Sequence, residues 1–213
     1  MTRIGVVACE SMRTELEQII KDEPDVVAKR YIEFGSHVYP EKLRHEVAEA
    51  IEEIKNSCDV VIVGFGFCQS LRNLSQLVSA PILMAKNEDC ISILLTADKY
   101  RQELKKEAGT YFMTPGWCEH GLDGVKRDLH VDEVAKQAGT DPDRLLQLLF
   151  KNYTRVLYVD TGTRNARECE RMAEDVAKKL KVKFETTTGS LNTLKELFGN
   201  AKNYNTRSPC STE

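Results

Sequence analysis

The run Val60-Val61-Ile62-Val63, followed at once by Gly64-Phe65-Gly66-Phe67-Cys68, constrains this chain more than any other stretch. Four β-branched residues with no polar interruption read as a strand buried on both faces. Such a strand needs helices above and below it, which points to a parallel α/β sheet. The glycines let the backbone turn where a Cβ would clash. The turn delivers Cys68 just past the strand end, where open α/β sheets bind ligands.

The same pattern recurs along the chain. Ile4 to Ala8 is a short apolar run ending at Cys9. Val26 to Gly35, centred on Tyr31-Ile32-Glu33-Phe34, stops just before His37. Pro81 to Ala85 leads through Glu88 and Asp89 to Cys90. Thr110 to Met113, Arg155 to Val159 and Val182 to Thr186 complete the strands. Helical spacing fills the intervals: Ser11, Ser70 and Asp89 read as caps, and Pro40 and Pro142 sit at first helical positions. The polar stretch carrying His120 and His130 reads as an irregular surface excursion after a Pro115-Gly116 turn. The fold class is therefore α/β, a single domain over residues 1–198. It has a mostly parallel sheet with helices on both faces, Rossmann-like but without a dinucleotide fingerprint. Residues 199–213 read as a polar, mobile tail.

In a parallel sheet all strand ends of one polarity lie on one edge. Cys9, His37, Cys68 and Cys90 follow four successive strands, so the topology can bring them together. Taken singly, a cysteine after a buried strand is a small hydrophobe. As a set, thiolates plus an imidazole match the four-coordinate demand of zinc, with iron as the alternative metal. The expected ligands are Cys68, Cys90, His37 and Cys9, in that order. Cys58 precedes its strand and reads as structural at the opposite edge. Cys169 reads as packing within a helix, and Cys118-Glu119-His120 as a loop beside Trp117. That loop could close over the strand ends as a lid, with Trp117 as its apolar contact.

Gly64 and Gly66 begin a nucleotide-type glycine loop, but Gln69 stands at the third glycine position and no acidic residue ends the next strand. Backbone amides near Ser70 could still hold an anion. Asp160-Thr161-Gly162 is another strand-end loop, and Asp160 or Glu88 could handle protons. Walker and GxSxG motifs are absent, and Glu133 breaks the corrinoid-type DxHxxG pattern begun by Asp128-Leu129-His130. Seven widely spaced cysteines without a CxxC pair do not form a secreted disulfide framework. A net charge of -3 gives no basic footprint for nucleic acid. No apolar run reaches membrane-spanning length, and no signal peptide opens the chain, so a cytoplasmic location is expected.

At these residues the chain resembles an uncharacterised family, the domain of unknown function numbered 1638. The likeness rests on Ala8-Cys9-Glu10, on His37 with Pro40 and Leu43, and on Gly66-Phe67-Cys68. It continues through Asp89-Cys90, Thr114-Pro115-Gly116-Trp117 and Asp160-Thr161-Gly162. Phe65 stands where the family usually has tyrosine and Gln69 where it usually has glycine. The resemblance implies a setting in anaerobes, near corrinoid-dependent methyltransferases, and so a link to one-carbon metabolism. The expected function is a zinc–thiolate site serving methyl transfer, with a small molecule or a corrinoid protein as partner. Two alternatives stand beside it. One is a non-catalytic carrier of metal or corrinoid for a methyltransferase. The other is a metal-free redox or sulfur-transfer protein with Cys68 as nucleophile.

Overall fold

The computed structural model of the chain describes residues 1–33, 35–67, 69–163 and 165–204. Among these residues seven strands alternate with helices. The first half holds β1 (Ile4–Cys9), α1 (Arg13–Ile20), β2 (Val26–Ile32), α2 (Pro40–Ile54), β3 (Val60–Gly64), β4 (Ile82–Met84), α3 (Cys90–Leu95) and α4 (Ala97–Lys106). The second half holds β5 (Thr110–Met113), α5 (Pro115–Cys118), α6 (Gly121–Asp128), α7 (Val131–Ala138), α8 (Pro142–Leu149), β6 (Arg155–Asp160), α9 (Ala166–Leu180), β7 (Lys183–Thr188) and α10 (Asn192–Lys202).

This is the expected α/β architecture of parallel strands flanked by helices, with the strands divided between two sheets. Their orders are β2-β1-β3-β4 and β5-β6-β7, and every pairing is parallel. Apolar patterning says which faces are buried, not which strand lies beside which. β1 and β3 are buried along their whole lengths and form the centre of the larger sheet. Successive side chains point to opposite faces. Ile4, Val6, Ala8, Val60 and Ile62 meet α1 and α10 on one side. Val7, Val61 and Val63 meet Leu43, Val47, Ile51 and Ile54 of α2 on the other. β6 is the middle strand of the smaller sheet. There Val156 and Tyr158 pack on Cys169, Ala173 and Val176 of α9.

The last helix returns to cover the first sheet. It runs through Lys202 with Ala201 fully buried, so residues 199–202 are helix rather than tail. Cys210 lies outside the described residues. Three further expectations are revised. Residues 121–128 form α6 within the stretch expected to be irregular, and α5 replaces the Pro-Gly turn, while α7 and α8 are the two helices expected to follow it. Short 3-10 turns at Gln69–Leu71 and Leu74–Gln76 replace the helix expected after Ser70. No helix of the described residues is long and apolar enough to cross a membrane.

Candidate functional site

The strand order creates a topological switch between β1 and β3. After β1 the chain passes to β2 on one side, then crosses to β3 on the other. The loops leaving the carboxyl ends of two such strands diverge and leave a crevice. A cavity of ≈ 340 Å³ lies there. Cys9 and Ser11 reach it from the end of β1, Phe65, Gly66 and Ser70 from the loop after β3, and Asp89 and Cys90 from the start of α3. Glu33, Gly35 and His37 line it from the segment after β2, and Trp117 and Asp128 from α5 and α6.

Cys9 and Cys90 meet at the cavity. Cys9 is 9% exposed and both cysteines are free thiols. The hydrogen bond from Cys90 is the main cause of a Cys9 pKa lowered from 9.0 to about 7, against the opposing effect of burial. Ser11 Oγ donates to Cys9 Sγ at 3.0 Å and adds to the shift. Cys90 is held well above its ordinary range because Cys9 takes its hydrogen bond and because it is buried. Ser11 makes no cap bond to α1. The chain enters a 3-10 turn over Glu10–Met12 first, which turns the Ser11 hydroxyl onto the thiol instead. Removing it in Ser11→Ala is expected to raise the Cys9 pKa by about one unit, the worth of one hydrogen bond to a charged sulfur. The pH dependence of alkylation at Cys9 reads the shift, and an unchanged profile would show that Ser11 does not tune the thiol.

Asp128 closes the other side. It is 3% exposed, and burial pushes its pKa from 3.8 to about 7, helped by the charge on Cys9 and opposed by Tyr111. Tyr111 Oη donates to its Oδ2 at 3.4 Å. Its Oδ1 is buried without a hydrogen bond, 3.5 Å from His37 Nε2. His37 sits half-exposed at the rim, with its pKa lowered by desolvation and by the neighbouring charge of His130. The imidazole is therefore neutral at neutral pH and able to act as a ligand or a base. Asp128 had no strand-end position to flag it; its only sequence signal was the incomplete motif Asp128-Leu129-His130.

The structure thus brings together Cys9, His37 and Cys90, with Gly66, Ser70 and Trp117. Cys68 lies outside the described residues. The other candidates are elsewhere. Glu88 is an exposed partner of Arg101. Asp160 Oδ1 accepts the Gly162 N–H at 2.8 Å and shapes its own loop at the end of the smaller sheet. Gly64 packs its backbone against Ala8 and does not line this cavity. Cys58 donates to the Ile54 carbonyl at 3.3 Å, the structural role expected of it. Cys118 is fully buried and interacts with Cys169 in the core of the smaller sheet. Two cysteines at one cavity, with an imidazole elsewhere on its lining, are donors of the type zinc prefers. Among the described residues, no three of His, Cys, Asp and Glu stand close enough to hold a metal by themselves.

A sequence profile of the family described as "Protein of unknown function (DUF1638)" matches residues 31–198. No curated protein matches the chain.

Proposed function

The chain belongs to the DUF1638 family, and from that premise we propose that the Cys9–Cys90 cavity is a zinc–thiolate site serving corrinoid-dependent methyl transfer. The observation that carries the reading is the thiol pair itself. Two cysteines from separate strand ends meet at the switch-point cavity with one thiol already acidic. Cys9 and Cys90 would be two ligands. His37 stands at the rim for a third, and Cys68 falls in sequence between Gly66 and Ser70, which both line the cavity. Bound zinc would supply a lowered pKa for a thiol or water, making it a nucleophile at neutral pH. Around it, Ser11 holds the Cys9 sulfur in its anionic form. Asp128, titrating near 7, exchanges a proton with a reacting group. At ≈ 340 Å³ the cavity is at the small end of ligand sites. A corrin macrocycle is far larger, so the corrinoid would be presented by a partner protein while the cavity takes the small molecule.

A second reading is metal-free thiol chemistry, in redox or sulfur transfer. One observation favours it: hydrogen bonds from Cys90 and Ser11 lower the Cys9 pKa to about 7, which makes the thiol a nucleophile near neutral pH. Metal analysis of protein purified without oxygen separates the two. The zinc reading expects near-stoichiometric zinc, lost in Cys9→Ser and in Cys90→Ser while the circular dichroism spectrum is kept. Wild-type protein that neither carries zinc nor takes up added zinc would overturn it in favour of the thiol reading.

A further inference from the structure

We infer that this cavity selects a small organic cation, of the substituted ammonium or sulfonium class, and excludes anions. The inference rests on the reading of the cavity as the functional site and names the class of small molecule it takes.

Charge is the first argument. No lysine or arginine lines the cavity among the described residues, whereas Glu33, Asp89 and Asp128 do. The arginines that approach are engaged. Arg44, whose Nε donates to the Ser70 carbonyl, pairs with Glu41 at 3.3 Å, and Arg127 pairs with Glu10 at 3.2 Å. An anion would therefore be desolvated against like charge with no countercharge to meet it.

Backbone donors do not rescue an anion. The α3 N-terminus opens at Cys90, but Asp89 Oδ1 already accepts the Ser92 N–H at 2.7 Å, closing a capping box. The segment after β3, where amides near Ser70 might have held an anion, is a 3-10 turn and not the start of an α-helix.

The second argument is independent of net charge. Asp128 lines the cavity, and its buried Oδ1 has no hydrogen bond, with the neutral His37 imidazole 3.5 Å away as its only ion-pair neighbour among the described residues. A buried carboxylate oxygen left unpaired is costly unless a ligand meets it. The third is the wall chemistry. Phe65 and Trp117 supply aromatic and apolar surface, with Ile91 and Leu43 beside them. An alkylated onium ion suits such a lining, because its apolar substituents bury against the walls while its charge is drawn to aromatic faces and carboxylates.

Trp117 is the sole tryptophan in the chain, so intrinsic fluorescence reports on this cavity. Metal-free protein would be titrated at constant ionic strength with tetramethylammonium and trimethylsulfonium. Uncharged tert-butanol, acetate and sulfate serve as comparisons. A saturable fluorescence change is expected with both cations, at least about tenfold weaker binding with tert-butanol, and none with the anions. Asp128→Asn is expected to weaken cation binding about tenfold. Discrimination between the cations and tert-butanol on the wild-type protein stands even if that variant does not fold. Saturation by acetate or sulfate, equal binding of tert-butanol, or no saturation by either cation would overturn the inference. Zinc content is measured separately, so a protein that holds zinc and ignores onium ions fails here alone, and the reverse result fails only the zinc reading.

Discussion

Gly66→Ala is expected to destabilise the protein by about 3 kcal/mol or more and to part the Cys9–Cys90 pair. A Cβ built on Gly66 lies 2.2 Å from Asp89 Cα, 2.4 Å from its carbonyl carbon and 2.6 Å from its nitrogen. All three are main-chain atoms, so no side-chain rotation relieves the overlap. The loop after β3 and the turn into α3 are also held together, since the Phe67 N–H donates to the Asn87 carbonyl at 2.6 Å. The added methyl must therefore push the Asp89–Cys90 turn away from β3 or break that bond. Either movement carries the Cys90 sulfur away from Cys9. Denaturant unfolding measures the first effect. The second appears as a Cys9 pKa returning toward its ordinary value of 9.0, read from the pH dependence of alkylation. Gly199→Ala is the control. Its Cβ meets nothing within 4 Å, and in α10 alanine is better than glycine by up to about 1 kcal/mol. If Gly66→Ala is as stable as this control and keeps an acidic Cys9, the close approach at Gly66 does not set the site.

The role of Gly66 marks what the sequence could and could not convey. A strand followed by Gly-Phe-Gly signals a tight backbone passage, and that was legible. What passes close to it was not, because the neighbour is Asp89, on a loop after a different strand. Convergence of Cys9, His37 and Cys90 was readable because parallel strands put their ends on one edge whatever the strand order. Asp128 was not readable on that logic, since it arrives at the end of a helix. The helix itself was obscured by Gly121 and Gly124, although Leu122, Val125 and Leu129 keep its i, i+3, i+7 spacing. Gly124 is needed there, because a Cβ would lie 2.6 Å from His120 Cβ. The division into two sheets had no sequence signal at all. Nothing in the apolar pattern of β4 or β5 says that they fail to pair with each other. Ser11 shows the reverse error: a residue with the right identity for a helix cap spends its hydroxyl on a thiol because a 3-10 turn intervenes.

Glu15 lies on the buried side of α1 between Met12, Leu16 and Ile19, and no motif singles it out. Its exposure is 0%, and it faces the ends of the smaller sheet. Thr161 Oγ1 donates to its Oε1 at 3.3 Å, while Oε2 is buried without a hydrogen bond. Burial raises its pKa from 4.5 to about 7. This fixes the sign of its effect on stability. Between the unfolded and folded pKa values the unfolded chain has lost the proton and the folded chain still holds it. Folding then takes up a proton, so stability falls as pH rises from about 4.5 to about 7 and levels off above that. The loss from Glu15 is about 3 kcal/mol over that window. Asp128 acts in the same direction, from 3.8 to about 7, with about 4 kcal/mol. His37 opposes them near its own titration, since its folded pKa is lowered and it gains stability as pH rises. The comparison that isolates Glu15 is therefore the difference between wild type and Glu15→Gln across pH. Glutamine cannot ionise, so the variant should lack the Glu15 share of the decline. Its stability relative to wild type is expected to rise by about 3 kcal/mol between pH 4.5 and 7 and then stay constant. Chemical denaturation at a series of pH values measures this. Parallel curves for the two proteins would mean that Glu15 is ionised in the fold, and that a partner reaches its Oε2 in solution.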